Sequence, residues 1–391
     1  MRLPRLALGL LCSLPLLSLA CSDDGSSAPT PIVVGVLAPV EGGLVDFGRG
    51  IADSVRLAVD EQAGTILPGR DVRVIVRDDA SDPEKGAAAA AELARNPHVA
   101  AVVGPYNSGV AQAALPVLAP AGVALVSPSN TLTTLTHGGT PQDPTRPWPT
   151  YFRLVGADVE QAAFLARRAR ASGYGRAAVV SETKAVSKGL ADDFVAAFAA
   201  NGGVVTVRAL VPDDAKDFSA FLAEAIPTSP DLVFFGGEYP VAATLRKQAS
   251  AAGLDVPVMG GDGIKDPAYY ESAGTLAVGT LASTVGIPVE EMPGGPGFLA
   301  AYEAAGFATE PSAYGPYAYD AAVAVLRAIA ASLAAGVPEA DLRGGVIAAL
   351  GATDFEGVTG RVRFDDLGDP VDPVFTLYRV DGPPRAWVER R

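Results

Sequence analysis

Histidine and cysteine are nearly absent from this sequence: 391 residues contain two of each. His98 and His137 are too few for a His-rich metal site, and they leave most hydrolytic mechanisms without their usual imidazole base. Both cysteines, Cys12 and Cys21, fall at the very start, so the body of the chain has no disulfide framework. The patterns G-x-S-x-G, G-x-x-x-x-G-K-[ST], H-E-x-x-H and a spaced G-x-G-x-x-G are missing too, so the chain reads as no enzyme, with no catalytic residue, no metal and no cofactor. Basic residues are outnumbered, 30 Lys plus Arg against 44 Asp plus Glu, and a net charge of −14 repels phosphate backbones and anionic lipid. Nucleic acid is therefore excluded as a partner. Apolar residues are abundant: 49% hydrophobic against 19% charged excludes a disordered chain. The length suits two or three compact units, and two lobes is the economical arrangement.

The start reads as a signal peptide over residues 1–20. Arg2 and Arg5 form a positive n-region, Leu6 to Leu19 an apolar run broken by Pro15, and Ser18-Leu19-Ala20 a small-x-small cleavage pattern. That run is too short to span a bilayer, which takes about 20 residues of helix, and the Ala-rich segments 87–94 and 321–335 are interrupted by charges or glycine. No transmembrane helix is expected. Leu-Ser-Leu-Ala-Cys resembles a bacterial lipobox, with Ser18 in place of the usual Leu, so lipid attachment is expected at Cys21. The polar, Ser- and Pro-rich segment after it makes residues 21–31 a flexible tether.

From Ile32 onward short β-branched runs alternate with helical patterns, the syntax of an α/β fold. Ile32–Leu37, Val72–Val76, Val99–Val103 and Val123–Val126 are candidate strands, and Ser81-Asp82-Pro83-Glu84 reads as a capping box opening a helix over 84–95. A Pro/Gly-rich passage over 138–149 separates a second series: strands at 177–181, 204–209, 231–235 and 256–259, with helices between them. Helices at 298–305, 317–335 and 339–350 lack a sheet of their own and must cover an existing lobe. In the tail, Arg361–Phe364 and Val374–Val380 read as an antiparallel pair around the turn Asp365-Asp366-Leu367-Gly368.

Two doubly wound lobes imply a cleft outside the carboxyl ends of their strands. Two loops there, Gly104-Pro105-Tyr106-Asn107-Ser108-Gly109 and Ser127-Pro128-Ser129-Asn130-Thr131, are small, hydroxyl-bearing and placed at helix starts. Unpaired backbone N–H groups and the positive end of a helix dipole bind an anion such as a carboxylate, with Ser108 and Thr131 as added donors. Equally, both hydroxyls are what simple N-caps require. Another carboxyl end runs into Gly260-Gly261-Asp262-Gly263, where Asp262 suits an ammonium group or is a plain turn residue. Anion-binding loops facing a lone carboxylate describe a receptor for a zwitterion.

These residues carry a resemblance. Arg77-Asp78-Asp79-Ala80-Ser81-Asp82-Pro83, Lys216-Asp217-Phe218-Ser219, Phe234-Phe235-Gly236-Gly237 with Leu245-Arg246-Lys247-Gln248, Ala252-Gly253-Leu254 and Phe364-Asp365-Asp366-Leu367-Gly368 match in order and spacing the periplasmic leucine/isoleucine/valine-binding protein family. The chain resembles that family from about Ile32 to about Val380. The resemblance implies the type I periplasmic-binding-protein fold: two doubly wound, Rossmann-like lobes joined by a three-stranded hinge, with lobe 1 over 31–149 and 286–357 and lobe 2 over 150–285 and 358–391. It puts Ser108, Ser129 and Thr131 on a ligand α-carboxylate and Asp262 on the α-ammonium. Phe47, Tyr106 and Tyr314 become pocket walls. Ser81 and Asn107 stand where the best-known members have a disulfide. Val186 and Glu238 stand where members often present aromatics. Two readings of Glu238 stay open: it lines the pocket beside Asp262 and favours a ligand with an extra donor or cation, or it faces solvent while Tyr239 turns inward.

The implied protein is a monomeric extracytoplasmic lipoprotein, attached to the membrane only through Cys21. It captures an amino acid or related zwitterion by hinge closure and delivers it to an ABC permease. The alternative is a sensor of the same fold that reports an amide or aromatic compound to a regulator.

Overall fold

A computed structural model describes residues 30–139, 143–382 and 386–390. The leader, Cys21 and all but the last two residues of the tether lie outside the described residues. The first sheet is wholly parallel. Its strands β1 (Ile32–Ala38), β2 (Val72–Asp78), β3 (Val99–Val103), β4 (Ala124–Ser127) and β5 (Tyr151–Arg153) lie in the order 2-1-3-4-5. Every residue of β1 and β3 is buried, as strands covered on both faces by helices must be. The strands β6 (Arg176–Glu182), β7 (Val204–Val211), β8 (Leu232–Gly236), β9 (Val258–Gly260) and β10 (Leu281–Val285) repeat that order as 7-6-8-9-10. A two-stranded ribbon, β11 (Asp354–Glu356) with β12 (Arg361–Arg363), follows, and then β13 (Phe375–Asp381) and β14 (Ala386–Arg390) extend the second sheet in antiparallel sense. Each lobe is thus doubly wound, and in each the strand order reverses beside the first strand, which opens a crevice at its carboxyl end.

The chain changes lobes three times: after β5, after β10, and between Phe364 and β13. The first sheet runs past the expected boundary at 149, because Tyr151–Arg153 pair with β4. The first lobe's core likewise takes in Val362 and Phe364, beyond 357. The expected pairing of Arg361–Phe364 with Val374–Val380 does not form: β12 pairs with β11, and β13 with β10 and β14. The turn is real, with Gly368 N–H donating to the Asp365 carbonyl at 3.1 Å, and it closes a tight hairpin in which Phe364 bridges Pro370 in antiparallel sense, before the chain passes to β13 in the other sheet.

Two further expectations are corrected. The helix Pro83–Arg95 is capped by Asp82, whose carboxylate accepts from Lys85 N–H at 2.9 Å, and not by Ser81, which sits at φ +57° in a loop tied by the Asp78 and Asp79 side chains. The helix Gly315–Ala334 is, by length and composition, long and apolar enough to cross a membrane. It is a core helix of the first lobe instead, packed on Val45–Ile66 and mostly buried.

Candidate functional site

The crevice residues come from the strand ends. After β3 the chain passes through Gly104, whose φ of +113° and position, where a Cβ would meet the Leu37 carbonyl at 2.0 Å, admit only glycine. From there the chain runs through Pro105 to the helix Ser108–Leu118, whose first residue lines the crevice. The second loop is stitched to the first: Asn130 Nδ2 donates to the carbonyls of Tyr106 at 2.8 Å and Pro105 at 3.0 Å, and Ser129 Oγ donates to the same two at 3.0 and 3.3 Å. Arg153, fully buried, braces this loop from below by donating to the carbonyls of Asn130 and Leu132. Its charge is met by Asp369 at 2.5 Å. Burial works against ionisation of Asp369, but Arg153 and His137 outweigh it and hold the carboxyl down at about 2.

Ser108, Ser129, Thr131, Tyr106, Tyr314, Asp262 and Glu238 all line one interlobe cavity of about 100 Å³, together with Val186. Phe47 does not reach it. That ring stacks on Tyr106 at 4.8 Å, with Tyr314 edge-on to Tyr106 at 5.5 Å, and lines an adjoining chamber of about 150 Å³ that shares Tyr106, Asp262 and Tyr314 with the first. The capping alternative fails for both hydroxyls. Ser108 is the first residue of its helix and accepts from Leu132 N–H at 3.4 Å. Thr131 precedes a short helix whose N-cap position is Thr133. The N–H groups of Ser108 and Gly109, at the first turn, have no intrahelical acceptor.

Across the cavity Asp262 opens a single 3₁₀ turn after β9. Its Oδ1 accepts from Gln161 Nε2 at 3.0 Å and its Oδ2 from Tyr314 Oη at 2.9 Å, the latter a bond between lobes. Burial foremost, then Asp262, raise the phenols of Tyr106 and Tyr314, which stay neutral donors. Glu238 divides between the two readings. It lines both chambers, yet its side chain is 48% exposed and pairs with Lys184 at 3.2 Å, while Tyr239 lines only the outer chamber. Behind it Glu182 is fully buried, accepts from Glu238 N–H at 3.0 Å, and is pushed up to about 7 by burial, with Lys184 and that N–H opposing.

Sequence reasoning missed Asp158 and Gln161, which open the helix Asp158–Ala171 directly after the first lobe crossing. Asp158 is 1% exposed and lines the cavity, and its carboxyl is pushed up to about 8 by burial and by Asp262, with Thr131 opposing. An acid in a first turn is what any helix favours, so nothing in the sequence marked it. The carboxylates do not gather into a metal site: no group of three His, Cys, Asp or Glu suited to a metal ion occurs among the described residues.

Residues 31–383 match the periplasmic binding protein family. A Leu/Ile/Val-binding protein of Rhizobium johnstonii is 30% identical over 387 residues, covering 97% of each chain. Among solved structures, a leucine-binding protein of Thermotoga maritima superposes with a TM-score of 0.77 at 25% identity, covering 91% of this chain and 97% of that one. A branched-chain amino acid transporter substrate-binding protein of Streptococcus pneumoniae, solved with isoleucine, does so at 0.72 and 26% identity, covering 92% and 100%. Two doubly wound lobes closing on one cavity, over this span of similarity, make the chain a member of the leucine/isoleucine/valine-binding family of periplasmic solute-binding proteins, a family of receptors and not of enzymes.

Proposed function

We propose that the protein captures an amino acid in the interlobe cavity, its carboxylate at the Ser108 and Thr131 loops and its ammonium at Asp262. The observation that carries this reading is the meeting of Ser108, Thr131 and Asp262 on one cavity from two lobes. Ser108 Oγ accepts from Leu132 N–H and so keeps its own proton to donate. Ser129 spends its proton on the Tyr106 and Pro105 carbonyls, which makes it a brace for the loop until its side chain rotates. Asp262 accepts one hydrogen bond on each oxygen, and a carboxylate has about four acceptor positions, so two remain for an ammonium. Tyr106 and Tyr314 wall the ligand, and Phe47 supports Tyr106 from behind.

Micromolar affinity needs about −8 kcal/mol. Charge-assisted bonds at roughly 1.5–3 kcal/mol each, with apolar contact from the aromatic walls, supply it after the cost of closure. Delivery to an ABC permease, and anchorage of a monomer outside the cytoplasm through a lipid on Cys21, complete the reading. Calorimetry with leucine, isoleucine and valine tests the site. Asp262→Ala should weaken binding by roughly 10- to 100-fold, the worth of one such bond, and Thr131→Ala by less; binding indifferent to both would refute the pose. Palmitate incorporation that persists in Cys21→Ala would refute the anchor.

A further inference from the structure

Lys265 has no part in the pose just described, yet it lines the outer chamber that opens off the inner cavity. That chamber, of about 150 Å³, shares Tyr106, Asp262 and Tyr314 with the inner one, so the side chain of a ligand whose ammonium rests on Asp262 can run on into it. Among the described residues lining either chamber, Lys265 is the one Lys or Arg. It follows the 3₁₀ turn that Asp262 opens, and its N–H donates to the Asp262 carbonyl at 3.0 Å, which sets the two opposite charges on one turn, three residues apart. Its ammonium forms no ion pair among the described residues and lies 4.4 Å from the centre of the Tyr378 ring. Burial pushes its pKa down, against the pull of Asp266 and Glu290, so the charge is partly desolvated with no carboxylate in contact. The acids of the chamber are engaged. Glu238 pairs with Lys184 at 3.2 Å, Asp266 Oδ1 accepts from Ala268 N–H at 2.7 Å as a helix cap, and Asp262 accepts from Gln161 and Tyr314. What the chamber leaves without a partner of opposite sign is its cation.

We propose that Lys265 sets the class of ligand: it receives a carboxylate at the end of the ligand's side chain, so that the site takes acidic amino acids of the glutamate type in preference to branched-chain ones. This rests on the amino-acid reading above and goes beyond it by naming what the outer chamber holds. Such a ligand matches the order of charges along the wall. Its α-carboxylate lies at Ser108 and Thr131, its ammonium at Asp262, its methylenes along Tyr106 and Tyr314, and its second carboxylate at Lys265. Leucine would follow the same path and leave the cation as it is. A cationic side chain, the other guest open to Glu238, would meet the like charge of Lys265 and compete with Lys184 for Glu238.

Calorimetry on the whole protein with L-glutamate, L-glutamine, L-leucine and L-lysine tests this. Glutamine has the shape of glutamate without its charge, so the wild-type protein should bind glutamate roughly tenfold or more tightly than glutamine, and lysine most weakly. Lys265→Met, which keeps an apolar stem over Tyr378, should cost glutamate about tenfold or more and glutamine and leucine less than about twofold, and Lys265→Arg should keep most of the preference. A role in packing alone would weaken all the ligands together. The wild-type ranking is decisive even if Lys265→Met folds poorly. Where binding still depends on Asp262, glutamate held no better than glutamine, a preference for lysine, or an equal loss for every ligand in Lys265→Met overturns this proposal alone. Binding of none of the four, or binding indifferent to Asp262→Ala, overturns the amino-acid reading and this proposal together.

Discussion

A single carboxyl shows how a site opposes the fold that carries it. Asp158 has its pKa raised from near 3.9 in an unfolded chain to about 8 in the folded one, through burial first and Asp262 second. A raised acid contributes stability in full below the unfolded value and loses it as pH climbs through the folded one, so the empty protein should weaken from about pH 4 to pH 8. Asparagine, nearly the same shape, cannot ionise. Asp158→Asn should therefore melt close to wild type at pH 5 and several degrees above it at pH 9, in the absence of ligand, by differential scanning fluorimetry. A difference that does not widen with pH would mean that Asp158 ionises freely. At this scale the sequence was legible where chemistry coincides with strand ends. Ser108, Thr131 and Asp262 follow candidate strands directly, and a doubly wound sheet gathers such positions. Asp158 and Gln161 come from a helix start whose place at the cavity depends on where the chain crosses lobes, and no local pattern encodes that.

Elements were read better than their partners. Periodicity and β-branched runs located four parallel strands in each lobe, since a strand buried on both faces has to be apolar along its length, but not β5 or β10, the last parallel strand of each sheet. The tail defeated the same reasoning, because a turn between two short strands says nothing about which sheet each joins. What fixes the outcome is Asp369, just past that turn, which meets Arg153 at the end of β5. Thr136 and His137 also contact its carboxylate, at 3.0 and 3.1 Å. The tail is thereby anchored to the loop holding Ser129 and Thr131. Removing one partner of a buried pair strands the other charge, so Asp369→Ala should cost about 3–5 kcal/mol, read as a lower urea midpoint. Because Asp369 is depressed to about 2, its contribution is complete above the unfolded value near 4 and lost as pH falls toward 2. The wild-type and variant midpoints should accordingly converge in acid, and a gap that stays constant to pH 2 would assign the loss to packing.

At the scale of the whole molecule, hydrogen bonds among the described residues join the lobes beside the hinge strands: Asp158 N–H donates to the Thr131 carbonyl at 2.7 Å and Val159 N–H to Thr133 Oγ1 at 3.0 Å, where the chain has just crossed, and two more end on carboxylates farther across. Thr133 Oγ1 donates to Asp193 at 2.9 Å, and Tyr314 Oη donates to Asp262 at 2.9 Å. Each is a neutral donor on a carboxylate, worth roughly 1.5–3 kcal/mol, and each has one partner in either lobe. Opening the cleft breaks both, so they bias the empty protein toward closure. In the proposed pose a ligand ammonium on Asp262 adds to the second bond and leaves the first untouched. The energy of closure is thus divided between a contact that senses the ligand and one that does not. Weakening the first contact alone should lower apparent affinity by the fraction of molecules no longer able to close, without altering the site itself. We expect Thr133→Val, combined with Tyr314→Phe, to enlarge the radius of gyration of the ligand-free protein in small-angle scattering. Saturating leucine should restore the compact value in Thr133→Val and only partly in the double variant. Identical scattering from wild type and double variant would show that hinge stiffness, and not these two bonds, sets the distance between the lobes.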